Sequence, residues 1–184
     1  MRSVIYSERL ILMQMEKLDV GFLSYCLSDP DAHGAFLSTA AVDPKTVESR
    51  FLSGAYWNDE SKLYIVKLKD EQTRIGMFHV WAKPAHRATA MYTIQIAVVE
   101  HRNLGYGTEV QLAAVNAVFH DAQFDAVEVY TDINNLAEIR CLEKLGFRYC
   151  ESKPYTDMNV ERTGNLYRLT REEYLQMEMG RFLR

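Results

Sequence analysis

The sequence predicts a single α+β domain, a mixed and mostly antiparallel sheet of about seven strands with helices on both faces. Three observations lead there. At 184 residues the chain fits one domain with a full hydrophobic core. Segments with the two-residue period of strands are interleaved irregularly with segments of helical period, in the order βααβββαβαββ, which is not the regular alternation of a doubly wound sheet. One helical segment, 107–121, lies between two strand patterns and is long enough to demand a parallel pair, because antiparallel neighbours need no such crossover.

Each element follows from local pattern. Residues 9–15 (RLILMQM) read as a strand, and 17–28 as a helix with Leu18, Phe22 and Cys26 at near-helical spacing and Asp29-Pro30 as its stop. After a loop over 31–42, Asp43-Pro44 supplies the cap and first position of a second helix, 44–57, with Val47, Phe51 and Leu52 on its apolar face. Residues 62–69 (KLYIVKLK) and 74–81 (RIGMFHVW) form an antiparallel pair, and a loop-like interval over 83–89 leads to a third strand at 90–99. Helix 107–121 turns Val110, Ala114, Val115 and Val118 inward. Residues 126–131 alternate as a strand, and 134–145 is a helix with the stripe Leu136, Ile139, Leu142 and Leu145, stopped by Gly146. Two closing strands, 147–152 and 165–170, would form a hairpin around Thr163-Gly164, followed by a terminal helix over 171–179.

Composition narrows the function. With 48% hydrophobic and 25% charged residues the chain is globular, and a net charge of −4 works against nucleic-acid or anionic-membrane partners, which favour a basic face. Cys26, Cys141 and Cys150 are an odd set without CxxC spacing, which suggests neither a disulfide framework nor a zinc site. His101 and His120 lack metal-ligand spacing, so no metal is expected. The N-terminus has no apolar signal core and no apolar run approaches about 18 residues, which points to a cytoplasmic protein with no membrane partner.

The chemistry centres on Arg102-Asn103-Leu104-Gly105-Tyr106-Gly107-Thr108, between a strand and a helix. A helix start leaves unpaired N–H groups and a favourable dipole for an anion, and glycines let a ligand approach the chain closely. Two glycines can also simply turn the chain. Dinucleotide binding would need glycine where Val110 stands, and the GxxxxGK[ST] loop is absent. The pattern Arg102-x-x-Gly105-x-Gly107 instead resembles the acyl-CoA pyrophosphate loop of the GNAT (Gcn5-related N-acetyltransferase) superfamily. Asn135-Leu-Ala-Glu-Ile-Arg-Cys-Leu-Glu-Lys-Leu-Gly146-Phe147 resembles a later segment of the same family. Ser7-Glu8-Arg9-Leu10 and Leu27-Ser28-Asp29-Pro30 look like its ribosomal-protein N-acetyltransferase-like branch.

The resemblance implies a splayed parallel strand pair at a CoA site and acetyl transfer from acetyl-CoA to an amine by direct attack. It places the backbone of Ile96, Ala97 and Val98 along pantetheine, residues Arg102 to Thr108 around the pyrophosphate, and Asn135 at the pantetheine or thioester, where Asn135 is also a natural helix cap. It implies an acceptor that is a small-molecule amine or a protein N-terminus, and by family habit a homodimer. The acceptor wall would come from helices 17–28 and 44–57, the loop between them, and the 152–164 segment, with Phe36, Tyr56, Trp57, Trp81 and Tyr155 as candidate lining.

Familiar proton-transfer groups are missing. Leu142 stands where many members carry an acidic tyrosine, Ala137 where the branch has serine, and Tyr92 where some members place a basic glutamate; strand 90–99 has no carboxylate. The remaining catalytic candidates are Asn135, Tyr130 and Cys141, with His79 and Tyr155 as further polar residues, and His33 and His86 in loops. Catalysis would then rest mainly on positioning and favour a weakly basic amine. The same absences also suit a different acyl donor, such as another acyl-CoA or an aminoacyl-tRNA, or a non-catalytic CoA-binding module.

Overall fold

The computed structural model describes residues 1–36, 42–121, 124–157 and 160–182. Its strands are β1 (Val4–Tyr6), β2 (Leu10–Gln14), β3 (Trp57–Asn58), β4 (Ser61–Leu68), β5 (Arg74–Lys83), β6 (His86–Ile96), β7 (Ala126–Asp132), β8 (Arg148–Asp157) and β9 (Val160–Thr170). The helices are α1 (Val20–Ser28), α2 (Pro30–His33), α3 (Pro44–Leu52), α4 (Tyr106–Asp121), α5 (Leu136–Lys144) and α6 (Arg171–Phe182). They form one nine-stranded sheet in the order β1-β2-β4-β5-β6-β7-β9-β8, with β3 paired to β4 outside that path. Every pairing is antiparallel except that of β6 with β7, which the crossover helix α4 connects.

Strand alternation sends successive side chains to opposite faces and so builds two cores. Leu63, Ile65 and Met77 pack with Leu23, Cys26 and Val47 from α1 and α3. Tyr64, Val66, Phe78 and Tyr92 face the other way, against Val110, Ala114, Val115 and Val118 of α4, together with Leu142 and Tyr174. The helices therefore cover both faces of a mixed, mostly antiparallel sheet.

Several boundaries differ from the sequence reading. The nine strands exceed the expected seven because β1 has three residues and β3 two, too few to show a period. The helix expected at 17–28 opens as a 3-10 turn over Lys17–Asp19, which leaves Leu18 at 84% exposure instead of in the core. The helix expected at 44–57 is capped as foreseen, Asp43 accepting from Lys45 N–H at 3.0 Å, but ends at Leu52, which is exposed. The loop after α1 holds the short helix α2, and its residues 37–41 lie outside the described residues. The interval 83–89 is mostly strand, because β5 runs to Lys83 and β6 starts at His86. The last two strands pair out to Asp157↔Val160, so Thr163-Gly164 lies inside β9 and is not the turn of the hairpin. Gly164 instead pairs with Lys153 and approaches the Tyr155 ring, a close contact of the kind glycine permits within a strand. Leu136 is exposed, so the buried face of α5 is carried by Cys141 and Leu142, with Leu145 at its end.

The parallel ladder positions the site. It consists of Thr89↔Ala126, Ala90↔Val127 and Met91↔Glu128, after which β6 continues to Ile96 and β7 to Asp132 without pairing to each other. Glu128, buried at this last rung, accepts ion pairs from Lys83 at 2.5 Å and Arg168 at 2.8 Å, tying β5 and β9 to β7 where the strands part.

Candidate active site

At the C-terminal end of β6 the chain makes a 3-10 turn over Val99–His101 and reaches α4 through Asn103 at φ 60° and Gly105 at φ 81°. Left-handed backbone suits these two residues, asparagine and glycine, better than most others. The first N–H groups of α4 have no intrahelical acceptor and form an anion cradle. Elements remote in sequence hold it. Arg9 Nε and N–H donate to Glu109 of α4 at 2.7 and 2.6 Å, Ser7 Oγ donates to the same carboxylate at 2.7 Å, and Arg9 Nη1 donates to Leu104 O at 3.1 Å. The Arg9 guanidinium also lies 4.4 Å from the Tyr106 ring centre.

Arg102 has a different setting from the one its charge suggested. Its Nε donates to Ile96 O at 2.8 Å, and its Nη2 donates to the carbonyls of Ala32 at 2.7 Å and Ala97 at 3.0 Å, with Asp31 O as a further acceptor. Gln95, buried in β6, donates to Cys26 O and Ala32 O at 2.9 and 2.7 Å. Arg102 and Gln95 thus pin α2 to the strand that borders the slot. Ala97 and Val98 N–H both donate to Ile75 O, facing β5, so strand alternation turns the backbone of Ile94 and Ile96 toward the gap.

The slot opens into a cavity of about 890 Å³. Of the residues expected to hold the cofactor, Ile96, Arg102, Asn103, Gly105, Gly107, Thr108 and Asn135 line it, whereas Ala97, Val98, Leu104 and Tyr106 do not. Tyr130, Cys141, Phe36 and Tyr155 line it too. Tyr56, Trp57 and Trp81 lie elsewhere, Trp57 packed edge-on against Tyr64 and Trp81 beside His79. Asn135 is both a cap and a wall, its Oδ1 accepting from Glu138 N–H at 3.3 Å. Burial pushes the Cys141 thiol up to about 11, which keeps it protonated and unreactive near neutral pH. His79 is pushed down to about 4 by burial and bonds Ser61 Oγ at 2.7 Å, outside the cavity lining. His33 is buried in the wall and likewise lowered by desolvation.

Two carboxyl groups reach the cavity, and sequence reading singled out neither. Burial alone would raise Asp132, but bonds from Asn134 N–H at 2.8 Å and the Tyr155 hydroxyl at 2.9 Å outweigh it and hold the group below the usual carboxylate range. Glu138, on the first turn of α5, has a single donor, Gln111 Nε2 at 3.0 Å. Its Oε1 is buried without a partner among the described residues, and burial pushes the group up to about 6. Gln111, itself buried in α4, accepts from the Tyr92 hydroxyl at 2.5 Å through Oε1 and donates also to Cys141 Sγ at 3.2 Å. A buried glutamine beside the apolar stripe of α4 was the available signal for this cluster.

An anion cradle opening onto a slot between parting parallel strands is the arrangement of an acyltransferase. The family described as the acetyltransferase (GNAT) domain matches residues 9–148, and the chain belongs to it. A GNAT-family acetyltransferase from Bacillus anthracis has a similar structure, with a TM-score of 0.74 and 19% identity over 92% of this chain and 99% of that one. Spermidine N-acetyltransferase from Vibrio cholerae, solved with CoA and spermine, gives 0.79 at 14% identity over 91% and 98%. The ribosomal L7/L12 alpha-N-protein acetyltransferase RimL, solved with CoA, gives 0.76 at 13% over 91% and 97%. No curated protein matches the chain by sequence.

Proposed function

We propose that this acyltransferase moves an acetyl group from acetyl-CoA to the amine of a small molecule or of a protein N-terminus, by direct attack of the amine. The observation that carries the reading is the continuity of cradle, slot and cavity: α4 N–H groups at one end, the unpaired stretch of β6 and β7 between, and carboxyl-lined space beyond. The residues fit CoA. Any side chain at Gly105, at φ 81°, would strain the backbone and come within 3.5 Å of Arg9, and a Cβ at Gly107 would lie 4.0 Å from Ile96. The N–H groups of Gly105 to Thr108 would take the pyrophosphate, with Arg102 bracing the loop from behind. The backbone of Ile94 and Ile96 would run along pantetheine, and Asn135 would face the thioester end. The bound co-substrate supplies an acyl group already activated as a thioester. Acceptor chemistry agrees with the solved relatives, which act on a polyamine and on a protein α-amine.

We place the protein in the cytoplasm; no helix among the described residues is long and apolar enough to cross a membrane. A homodimer, as family habit implies, is part of the same proposal. The test is thiol release from acetyl-CoA with a panel of amines, alongside the CoA-dependent thermal shift. Turnover is expected, and Gly105→Glu should abolish the shift by filling the cradle and adding negative charge. A shift without turnover would instead favour a CoA-binding module, and no shift would sink CoA as ligand.

A further inference from the structure

We propose that Glu138 is the general base of the transfer, its Oε1 taking the proton from the acceptor's ammonium group directly or through one water. The inference rests on the acetyl-transfer reading and names a residue for a role that otherwise has no occupant. Geometry carries it. Glu138 lines the cavity, one oxygen is fixed by Gln111, and the other is buried with no partner among the described residues. A buried acceptor left without a donor is costly, and such a group in a cleft marks a place where a ligand's donor completes the bonding. Asp132, the other carboxyl of the cavity, already receives Asn134, Tyr155 and Arg162 and has no comparable vacancy.

The groups facing Glu138 are Gln111 from α4, the Tyr92 hydroxyl from β6 and Cys141 on its own helix. The phenol and the thiol are both pushed up by burial and stay neutral, so Glu138 is the member of this set that changes charge near neutral pH. Its elevation to about 6 brings it closer to an amine's own value, which eases the transfer while leaving most of the group ionised at pH 7. The step balances. Glu138 takes one proton from the ammonium; the nitrogen lone pair forms the C–N bond as the C–S bond breaks and its electron pair goes to sulfur. The second nitrogen proton ends on that sulfur, and Glu138 returns its own proton to solvent. With a base present, strongly basic amines become eligible acceptors, contrary to what the sequence alone favoured.

The experiment compares wild type with Glu138→Gln and Glu138→Asp on acceptors of graded basicity, over a range of pH. In the wild type, kcat/KM should rise through the ionisation of Glu138 and then level off. In Glu138→Gln it should climb with pH up to the amine's own pKa. At pH 7 the variant should lose ~10²–10⁴-fold on a strongly basic amine and much less on an α-amine, with partial recovery in Glu138→Asp. A readout independent of turnover is a carbon NMR titration, in which one glutamate carboxyl moves near pH 6 and is absent from Glu138→Gln. Equal rates and pH profiles in wild type and Glu138→Gln, or no carboxyl titrating above the ordinary range, would overturn the assignment while leaving acetyl transfer intact. No thiol release by the wild type with any amine would overturn the acetyl-transfer reading, and this inference with it.

Discussion

At the scale of single residues, the half-buried Glu138, with its Oε1 out of contact with solvent, carries a stability cost that can be measured without a substrate. Its folded-state pKa of about 6 stands above its ordinary 4.5, because burial disfavours the charged form more than the Gln111 bond favours it. A raised folded value means that the folded protein holds the proton more tightly than the unfolded chain does. The group's favourable contribution is therefore complete below its ordinary pKa and is lost as pH rises through about 6. At ~1.4 kcal/mol per unit, the cost above that pH is about 2 kcal/mol. Glu138→Gln keeps an acceptor for Gln111 and carries no charge, so it should be more stable than wild type by about 2 kcal/mol at pH 8. The gap should close in denaturant titrations at acid pH. A variant equally stable at both pH values would show that the carboxyl is well solvated in the folded protein.

At the scale of elements, the slot depends on how closely β5 and β6 approach. Gly76 of β5 lies opposite Ile96, and a Cβ built there would sit 2.0 Å from Gln95 O and 3.0 Å from Gln95 C, backbone atoms with no rotamer to escape into. Gly76→Ala must push β6 outward and loosen the Gln95 and Arg102 ties to α2. An overpacked core site costs about 3 kcal/mol at the upper end of its usual range, which for a domain of this size lowers the melting temperature by ~6–12 °C. Calorimetry checks the stability, and weaker CoA binding should accompany it. These elements were legible in unequal measure. The glycine loop and α5 could be read because each is continuous in sequence, and α4 because its buried residues repeat at helical spacing. For the Tyr92–Gln111–Glu138 cluster the one hint was Gln111, a polar residue beside the apolar stripe of α4; the members lie on β6, α4 and α5 and meet only through packing. Arg102 was read by its charge, yet four backbone carbonyls decide where its donors go. Gly164 was taken for a turn because glycine in a strand looks like one until its neighbour, the Tyr155 ring, is seen.

At the scale of the whole molecule, the N-terminal hairpin and the glycine loop before α4 are one structure. Ser7 and Arg9, about a hundred residues away in sequence, converge on Glu109 and on Leu104 O. Burial pushes Glu109 upward, but the Arg9 N–H, the Ser7 hydroxyl and the Arg9 guanidinium together outweigh it and hold the carboxyl below its ordinary range. The sign follows: stability from this tie is present above the ordinary value of 4.5 and is lost as pH falls through the depressed folded value. The stability difference between wild type and Glu109→Gln should accordingly be largest near pH 7 and shrink in acid. Arg9 makes a distinct prediction. Its guanidinium supports the loop through Leu104 and Tyr106 and comes close to the position of a Cβ at Gly105, so its loss should disorder the cradle before it disturbs Glu138 or Asn135. Arg9→Ala should raise KM for acetyl-CoA about tenfold, ~1.4 kcal/mol of lost binding, while kcat at saturating donor changes far less. Steady-state kinetics with the donor varied at fixed acceptor separates the two. A fall in kcat as large as the rise in KM would mean that the hairpin orders the acceptor side as well as the cradle.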